Sequence, residues 1–293
     1  VRHGIVILPQ QPWAEAKHRW IQAEELGFDH AWTYDHLSWR SLADETWHAT
    51  VPTLTAAASV TDRIGLGTFV ASPNFRHPVT FAKELATLDD VSGGRFLLGV
   101  GSGGTGFDST VLGQPELSPR ERHARFEEFV RGLDELLRFE KPGSGGINFS
   151  GDWFTAVNAR MVGAPAQTPR LPFVVAAEGP RGLRLAAELA DGWLTLGRTA
   201  DTLDEWWKVV AESSARMDDS LEKAGRASAT LDRYLNLDGA PQFSLESVGV
   251  WDDAVGQAEA LGFTDVIGHW PRTEGIYAGN ESVLIEIASR FSR

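Results

Sequence analysis

The chain has no cysteine among its 293 residues, which excludes disulfides, thiolate zinc sites, iron–sulfur clusters and a cysteine nucleophile. Positive charge is scarce too: 27 Lys and Arg stand against 40 Asp and Glu, a formal charge of −13. Nucleic acid and anionic membranes attract basic surfaces, so neither is an expected partner. No window approaches the ~18 consecutive apolar residues of a spanning helix. The N-terminal VRHGIVILPQQPW has only a short apolar stretch, ending at Pro9 without the length or cleavage site of a secretion signal, so a cytoplasmic protein is expected. The eight histidines show no H-x-x-x-H or H-E-x-x-H spacing and no G-x-S-x-G elbow occurs, so no metal site and no serine nucleophile are expected.

What is present is globular: 42% hydrophobic residues with 23% charged can bury a substantial core. Amphipathic helix ends, a Gly or Asp-Gly stop and a β-branched or aromatic run recur in AEELGFDHAW (23–32), AAELADGWLTL (186–196) and AEALGFTDVIG (258–268). Extending this grammar predicts eight strands near 4–8, 30–34, 63–70, 95–101, 173–177, 193–197, 231–237 and 264–268. Helices are predicted near 13–26, 46–61, 78–91, 119–139, 180–190, 202–224, 247–261 and 280–291, the fourth marked by a Ser118-Pro119-x-Glu121 capping box. Eight right-handed βα units close into an α/β fold of the (β/α)8 TIM-barrel type, with a doubly wound open sheet as the alternative. The expectation is one domain over 1–293, carrying a hairpin insertion at about 140–170 before the fifth strand.

In such a barrel the residues at strand C-termini face the active site. The glycine run Gly101–Gly106 has the G-x-G-x-x-G form, yet FDSTVLGQP after it reads as loop and the capped helix starts only at Ser118. A dinucleotide site needs a helix opening inside the motif, so the run is read as a glycine loop that lets a planar ligand approach the backbone. Asp35-His36 ends the second strand and carries either proton chemistry or a loop-capping role, since neighbours on a strand point to opposite faces. TFVASPNFRHP (68–78) ends the third strand in turn chemistry that suggests irregular backbone. Gly179-Pro180, followed by Arg181, starts a helix whose free N–H groups suit a phosphate, with Glu178 counting against it. Of the eleven tryptophans, Trp39, Trp47 and Trp153 are the pocket candidates.

Segments 61–103, 23–36 (AEELGFDHAWTYDH) and 176–193 (AAEGPRGLRLAAELADGW) resemble the bacterial luciferase-like superfamily, and within it the coenzyme F420-dependent oxidoreductases that include the glucose-6-phosphate dehydrogenases. The resemblance runs from Gly4 to about Arg198, with LGFTDVIGHW adding weaker support. It implies a barrel, usually dimeric, that binds a flavin or deazaflavin at the strand C-termini, and a non-prolyl cis peptide at Phe69-Val70. His36 would exchange a proton beside the hydride-transfer centre, with Asp35 next to it. Thr68, Phe69, Val70, Ser102, Gly103, Glu178, Gly179, Pro180 and Arg181 would complete the cofactor site. Trp39, Gly104 and Arg198 would face the substrate. This sequence departs from the glucose-6-phosphate group at Gly104, where that group has Glu, at Glu178, where it has Gly, and at Arg198, where it has Lys. The implied function is an F420-dependent oxidoreductase moving hydride to or from a small alcohol or aldehyde. The alternatives are a reduced-FMN monooxygenase fed by a reductase partner, and a non-catalytic cofactor-binding protein.

Overall fold

The computed structural model describes residues 1–138, 145–163 and 165–291. Parallel strands β1 (Arg2–Val6), β2 (His30–Thr33), β3 (Gly65–Thr68), β4 (Phe96–Val100), β7 (Phe173–Ala176), β8 (Gly192–Thr195), β9 (Asp232–Asn236) and β10 (Asp265–His269) close into a barrel in the order β1-β10-β9-β8-β7-β4-β3-β2. Around it lie α1 (Trp13–Glu25), α2 (Thr50–Ala58), α3 (Pro78–Val91), α5 (Pro119–Leu137), α6 (Pro180–Leu189), α7 (Leu203–Lys223), α8 (Val248–Ala260) and α9 (Glu281–Ala288). All eight βα units stand where the sequence grammar put them, and the open sheet is excluded because β1 pairs with both β2 and β10. Helices α5, α7, α8 and α9 start on side-chain caps: Ser118, Thr202, Ser247 and Asn280 each accept a backbone N–H of the first turn.

Two expectations are corrected. The second helix begins at Thr50 rather than 46, because Arg40–Leu42 forms a separate 3-10 turn and the chain runs extended into Ala49. The stretch read as loop after the glycine run holds a one-turn helix, α4 (Phe107–Thr110), closed by a mutual hydrogen bond between Ser109 and Gly106. The insertion contains the expected hairpin, β5 (Ile147–Ser150) against β6 (Thr155–Ala159); its first residues, 140–144, and the expected end of the fourth helix at 139 lie outside the described residues.

One apolar layer fills the space between strands and helices, with Trp20, Phe81, Phe129, Trp193 and Trp206 fully buried, while Val6, Trp32, Tyr34, Phe69, Val174, Leu194 and Ile267 fill the barrel. At the strand starts a polar plug centres on buried Asp265, which accepts from Arg2 at 2.7 Å and 2.8 Å and from His30 Nε2 at 2.9 Å. Burial alone would raise the Asp265 carboxyl, but the hydrogen bonds from His30 and Arg2 outweigh it and hold the group below its ordinary value. Trp32 Nε1 donates to His30 Nδ1 at 2.6 Å, so the proton that reaches Asp265 sits on Nε2. This end of the barrel serves stability and leaves the opposite rim for chemistry.

Candidate active site

At that rim the end of β3 is bulged. Gly67 pairs with Leu97 and Ala71 with Val100, so the β3 side carries one residue more than the β4 side. The extra length falls at Phe69-Val70, whose peptide bond is cis. Thr68 Oγ1 donates to the Gly99 carbonyl at 2.6 Å, and Ala71 N–H donates to the same oxygen at 2.8 Å. Gly99 is required there, since a Cβ would sit 1.9 Å from the Thr68 carbonyl oxygen. Phe69 turns into the barrel and stacks on Tyr34 with ring centroids 5.9 Å apart, and Val70 is left facing a cavity.

That cavity, about 880 Å3, is lined by the C-terminal ends of β3, β4, β7 and β8 and by the segment after β2. Its floor is backbone-rich, from Gly101 through Gly104 on one side and Gly179 on the other. Gly103 has φ +75°, and a Cβ there would lie 2.7 Å from the Asn74 side chain, so glycine alone keeps this turn open. Gly179 caps α6 with no side-chain partner, and Pro180 follows, so the first-turn N–H groups of that helix are unclaimed at the cavity edge. Arg40, Arg120 and Arg181 give this rim a positive character. His123 Nε2 and Glu178 Oε2 are buried without a hydrogen-bond partner among the described residues. Burial lowers the His123 imidazole from its ordinary value, helped by Arg181, and burial raises the Glu178 carboxyl although Thr195 hydrogen-bonds it.

His36 lines the cavity where the chain leaves β2. Its Nδ1 lies 2.5 Å from Asp108 Oδ2, and Asp108 Oδ1 accepts the Leu37 N–H at 2.9 Å. A carboxylate accepts only, so Nδ1 carries the proton and Nε2 is the free nitrogen of the ring. Among the described residues Asp35 makes no hydrogen bond to His36. It is buried and receives a two-pronged bond from Arg76, at 2.7 Å from Nε and 2.6 Å from Nη2. Burial opposes the Arg76 charge, but the bonds it donates to Asp35 and the charges of Asp35 and Glu84 keep that guanidinium above its ordinary value.

The residues singled out in the sequence therefore divide by place. Val70, Ser102, Gly103, Gly104, Glu178, Gly179, Pro180 and Arg181 line the large cavity with His36. Trp39 lines a smaller neighbouring cavity of about 230 Å3 together with His36 and Asp108. Thr68 and Asp35 are not among the lining residues; Thr68 bonds the Gly99 backbone carbonyl and Asp35 the Arg76 side chain. Arg198 is outside the lining, more than half exposed and 3.5 Å from Glu212. Trp47 packs on Tyr34, and Trp153 lines a separate cavity.

The family model described as luciferase-like monooxygenase matches residues 1–237. The chain belongs to that family. It is 32% identical over 237 residues to the F420-dependent glucose-6-phosphate dehydrogenase of Amycolatopsis mediterranei, covering 79% of this chain and 67% of the relative. It is 29% identical over 293 residues to the 5,10-methylenetetrahydromethanopterin reductase of Methanopyrus kandleri, covering 90% and 80% of the two chains. Against the first such dehydrogenases the chain spans 58% to 67% of their length. A solved F420-dependent secondary alcohol dehydrogenase, in complex with an F420-acetone adduct, shares the fold with a TM-score of 0.78 at 17% identity, over 99% of each chain.

Three parts of this luciferase-like site escaped the sequence reading. Asp108 was hidden in a stretch taken for loop; an acid two residues past the last glycine of a glycine run, in a first helical turn, was the available signal. Arg120 and His123 lie one turn apart along the start of α5, on the side that meets the cavity, and only their spacing hinted at it. The third is a buried chain across the rim. Asp238 accepts from His269 Nδ1 at 2.8 Å, His269 Nε2 meets the Tyr34 hydroxyl at 2.8 Å, and that hydroxyl meets Tyr277 at 2.8 Å. Tyr277 stacks on His269 at 3.8 Å between centroids. Burial pushes the Tyr34 phenol well above its ordinary value, so it serves as a neutral donor.

Proposed function

We propose that the chain is a coenzyme F420-dependent oxidoreductase that moves hydride to or from a small alcohol or carbonyl compound. The observation that supports this best is the junction of His36, fixed through Nδ1 by Asp108, with a glycine-floored cavity large enough for a flat tricyclic ring. The relatives' names supply the cofactor class: several are F420-dependent enzymes. The site suits that group, because His123 Nε2, without a hydrogen-bond partner among the described residues, and the open first turn of α6 are unspent binding capacity on one side of the cavity, and the backbone-rich turn of Gly101–Gly104 lies on the other. Val70 and residues 101–104 would support the ring. Gly179, Pro180 and Arg181 would hold an anionic group, with Arg120 and His123 facing them.

When bound, the deazaflavin supplies a carbon that accepts or donates hydride. The protein's share is proton handling and exclusion of water. His36 Nε2 takes the hydroxyl proton of an alcohol as its carbon loses hydride, and returns it in the reverse direction. Asp108 keeps the ring in the tautomer that can do so and favours the imidazolium formed. Trp39 walls the neighbouring space and Gly104 leaves it open, since nothing lies within 4 Å of where its Cβ would stand. Arg198, outside the cavity lining, would supply no charge to a phosphorylated substrate there. The family expectation of a homodimer is carried with this reading.

The experiment is anaerobic turnover with F420 against a panel of short alcohols and carbonyl compounds, with glucose 6-phosphate included, for wild type and His36→Ala. Expected are turnover of at least one short alcohol or carbonyl and its loss in His36→Ala. Turnover that requires oxygen and reduced FMN would instead establish the monooxygenase reading, which rests on the family's description.

A further inference from the structure

Beside the rim, and sharing no lining residue with the large cavity, is a second cavity of about 510 Å3. It lies between the segment after β3, the residues leading into α5, and the hairpin of β5 and β6. Its wall includes Phe75, Trp153, Phe154 and Leu117, together with Gln114 and the guanidinium-bearing residues Arg76 and Arg125. No Asp or Glu is among its lining residues.

Arg125 is the informative member. It is 6% exposed, yet among the described residues no carboxylate comes within ion-pair distance of it. Among the described residues one of its five N–H groups is used, Nη2 to Asn74 Oδ1 at 2.5 Å, and Nε is buried with no partner there. Arg76 differs, since Asp35 and Glu84 match its charge. Arg122 is close enough to add repulsion, and burial with that repulsion lowers Arg125 from its ordinary value. A chain with an excess of acids has nevertheless buried a cation without a counter-charge beside an apolar space. Burying an unpaired charge costs several kcal/mol unless something compensates it.

We propose that this cavity binds a small organic anion, an oxyanion head on a flat apolar body, with Arg125 as the counter-charge and Trp153 and Phe154 against the body. The wall chemistry selects both halves: a free inorganic oxyanion leaves the aromatic faces unused, and a neutral aromatic leaves Arg125 unpaired. Asn74 would share Arg125 with the incoming head. The same residue donates to the Gly104 carbonyl at 3.3 Å, so occupancy would be felt at the glycine loop of the large cavity.

The test is isothermal titration of the full chain, without cofactor, with benzoate and phenyl phosphate, alongside inorganic phosphate as the head alone and benzyl alcohol as the body alone. Expected is saturable binding of at least one aromatic anion with Kd of about 1 mM or below, and binding at least about tenfold weaker for the head or the body alone. The two anions decide whether carboxylate or phosphate is preferred. Arg125→Met should weaken the preferred anion by about tenfold or more, with an unchanged or raised melting temperature because an unpaired buried charge is removed. Trp153→Phe should bind the anion in the calorimeter but lose the tryptophan quench that accompanies binding in wild type. Absence of saturable binding of both aromatic anions, equal affinity in Arg125→Met, a quench that survives Trp153→Phe, or an Arg125→Met chain that melts lower or fails to fold would each overturn the proposal. None of these outcomes depends on the redox function.

Discussion

His36 and Asp108 are 72 positions apart in the chain and 2.5 Å apart in space. The carboxylate belongs to a one-turn helix that follows the glycine run, and it also accepts the Leu37 N–H, so it fixes both the ring and the backbone beside it. Gly104 carries no side chain, and the carboxylate next to the histidine comes from four residues further on, directed at Nδ1.

Asp108→Asn keeps an acceptor for Leu37 but no longer enforces a proton on Nδ1. Expected is a fall in kcat/KM of at least about 10-fold, the lower end of the range for residues that orient metal-bound histidines, and up to about 10⁴-fold, the loss where an Asp sets the tautomer of a proton-transferring histidine. F420 affinity should be unchanged, as measured by titration of the variant. Unaltered kcat/KM would assign Asp108 to loop packing alone.

Arg76 and Asp35 form a different kind of pair. Arg76→Met leaves a carboxylate only 2% exposed without its partner, which should cost about 3–5 kcal/mol in urea unfolding. Adding Asp35→Asn to Arg76→Met should recover part of that loss. A single-variant loss under about 1 kcal/mol would mean the pair behaves as a surface salt bridge.

Glu178 sets a pH dependence. Burial holds its carboxyl above the ordinary value, so the folded protein keeps this proton at pH values where the unfolded chain has released it. Stability from this group therefore falls as pH rises from the ordinary carboxylate range through the raised value, and stays lower above it. Glu178→Gln cannot lose a proton. Its melting temperature should exceed that of wild type at about pH 8, and the difference should shrink towards about pH 4. A constant difference across that range would show that the raised value is not realised.

Gly103→Ala tests the glycine loop. The positive φ should cost about 1–2 kcal/mol, and the added Cβ must displace Asn74. Both weaker F420 binding and lower stability are expected, read by titration and by urea unfolding. Gly104→Ala, with open space at its Cβ and no positive φ, should leave stability in urea unchanged. Equal effects at the two positions would contradict the assigned role of the turn.

The barrel was legible because its cause is local: an amphipathic helix, a glycine stop and a strand repeat in sequence order, and closure follows from eight such units. The glycine run, Val70, His36 and the Gly179-Pro180 turn were legible for the same reason, since strand C-termini are positions along the chain. Partners were not. Asp35 was read with His36 because the two are adjacent, yet the strand turns it to Arg76, while Asp108 reaches His36 only through the folding of α4. Arg198 fell outside the cavity because it extends along α7 toward Glu212, which sequence order does not show. The Asp238–His269–Tyr34–Tyr277 chain joins three βα loops, and no single stretch carries its signature.

The most direct measurement is a pair of equilibrium titrations of the purified chain, one with coenzyme F420 and one with FMN, followed by quenching of tryptophan emission. A deazaflavin site requires saturable F420 binding with Kd of about 10 μM or below, and FMN binding at least about tenfold weaker. FMN binding as tightly as F420, or F420 failing to saturate, would contradict it.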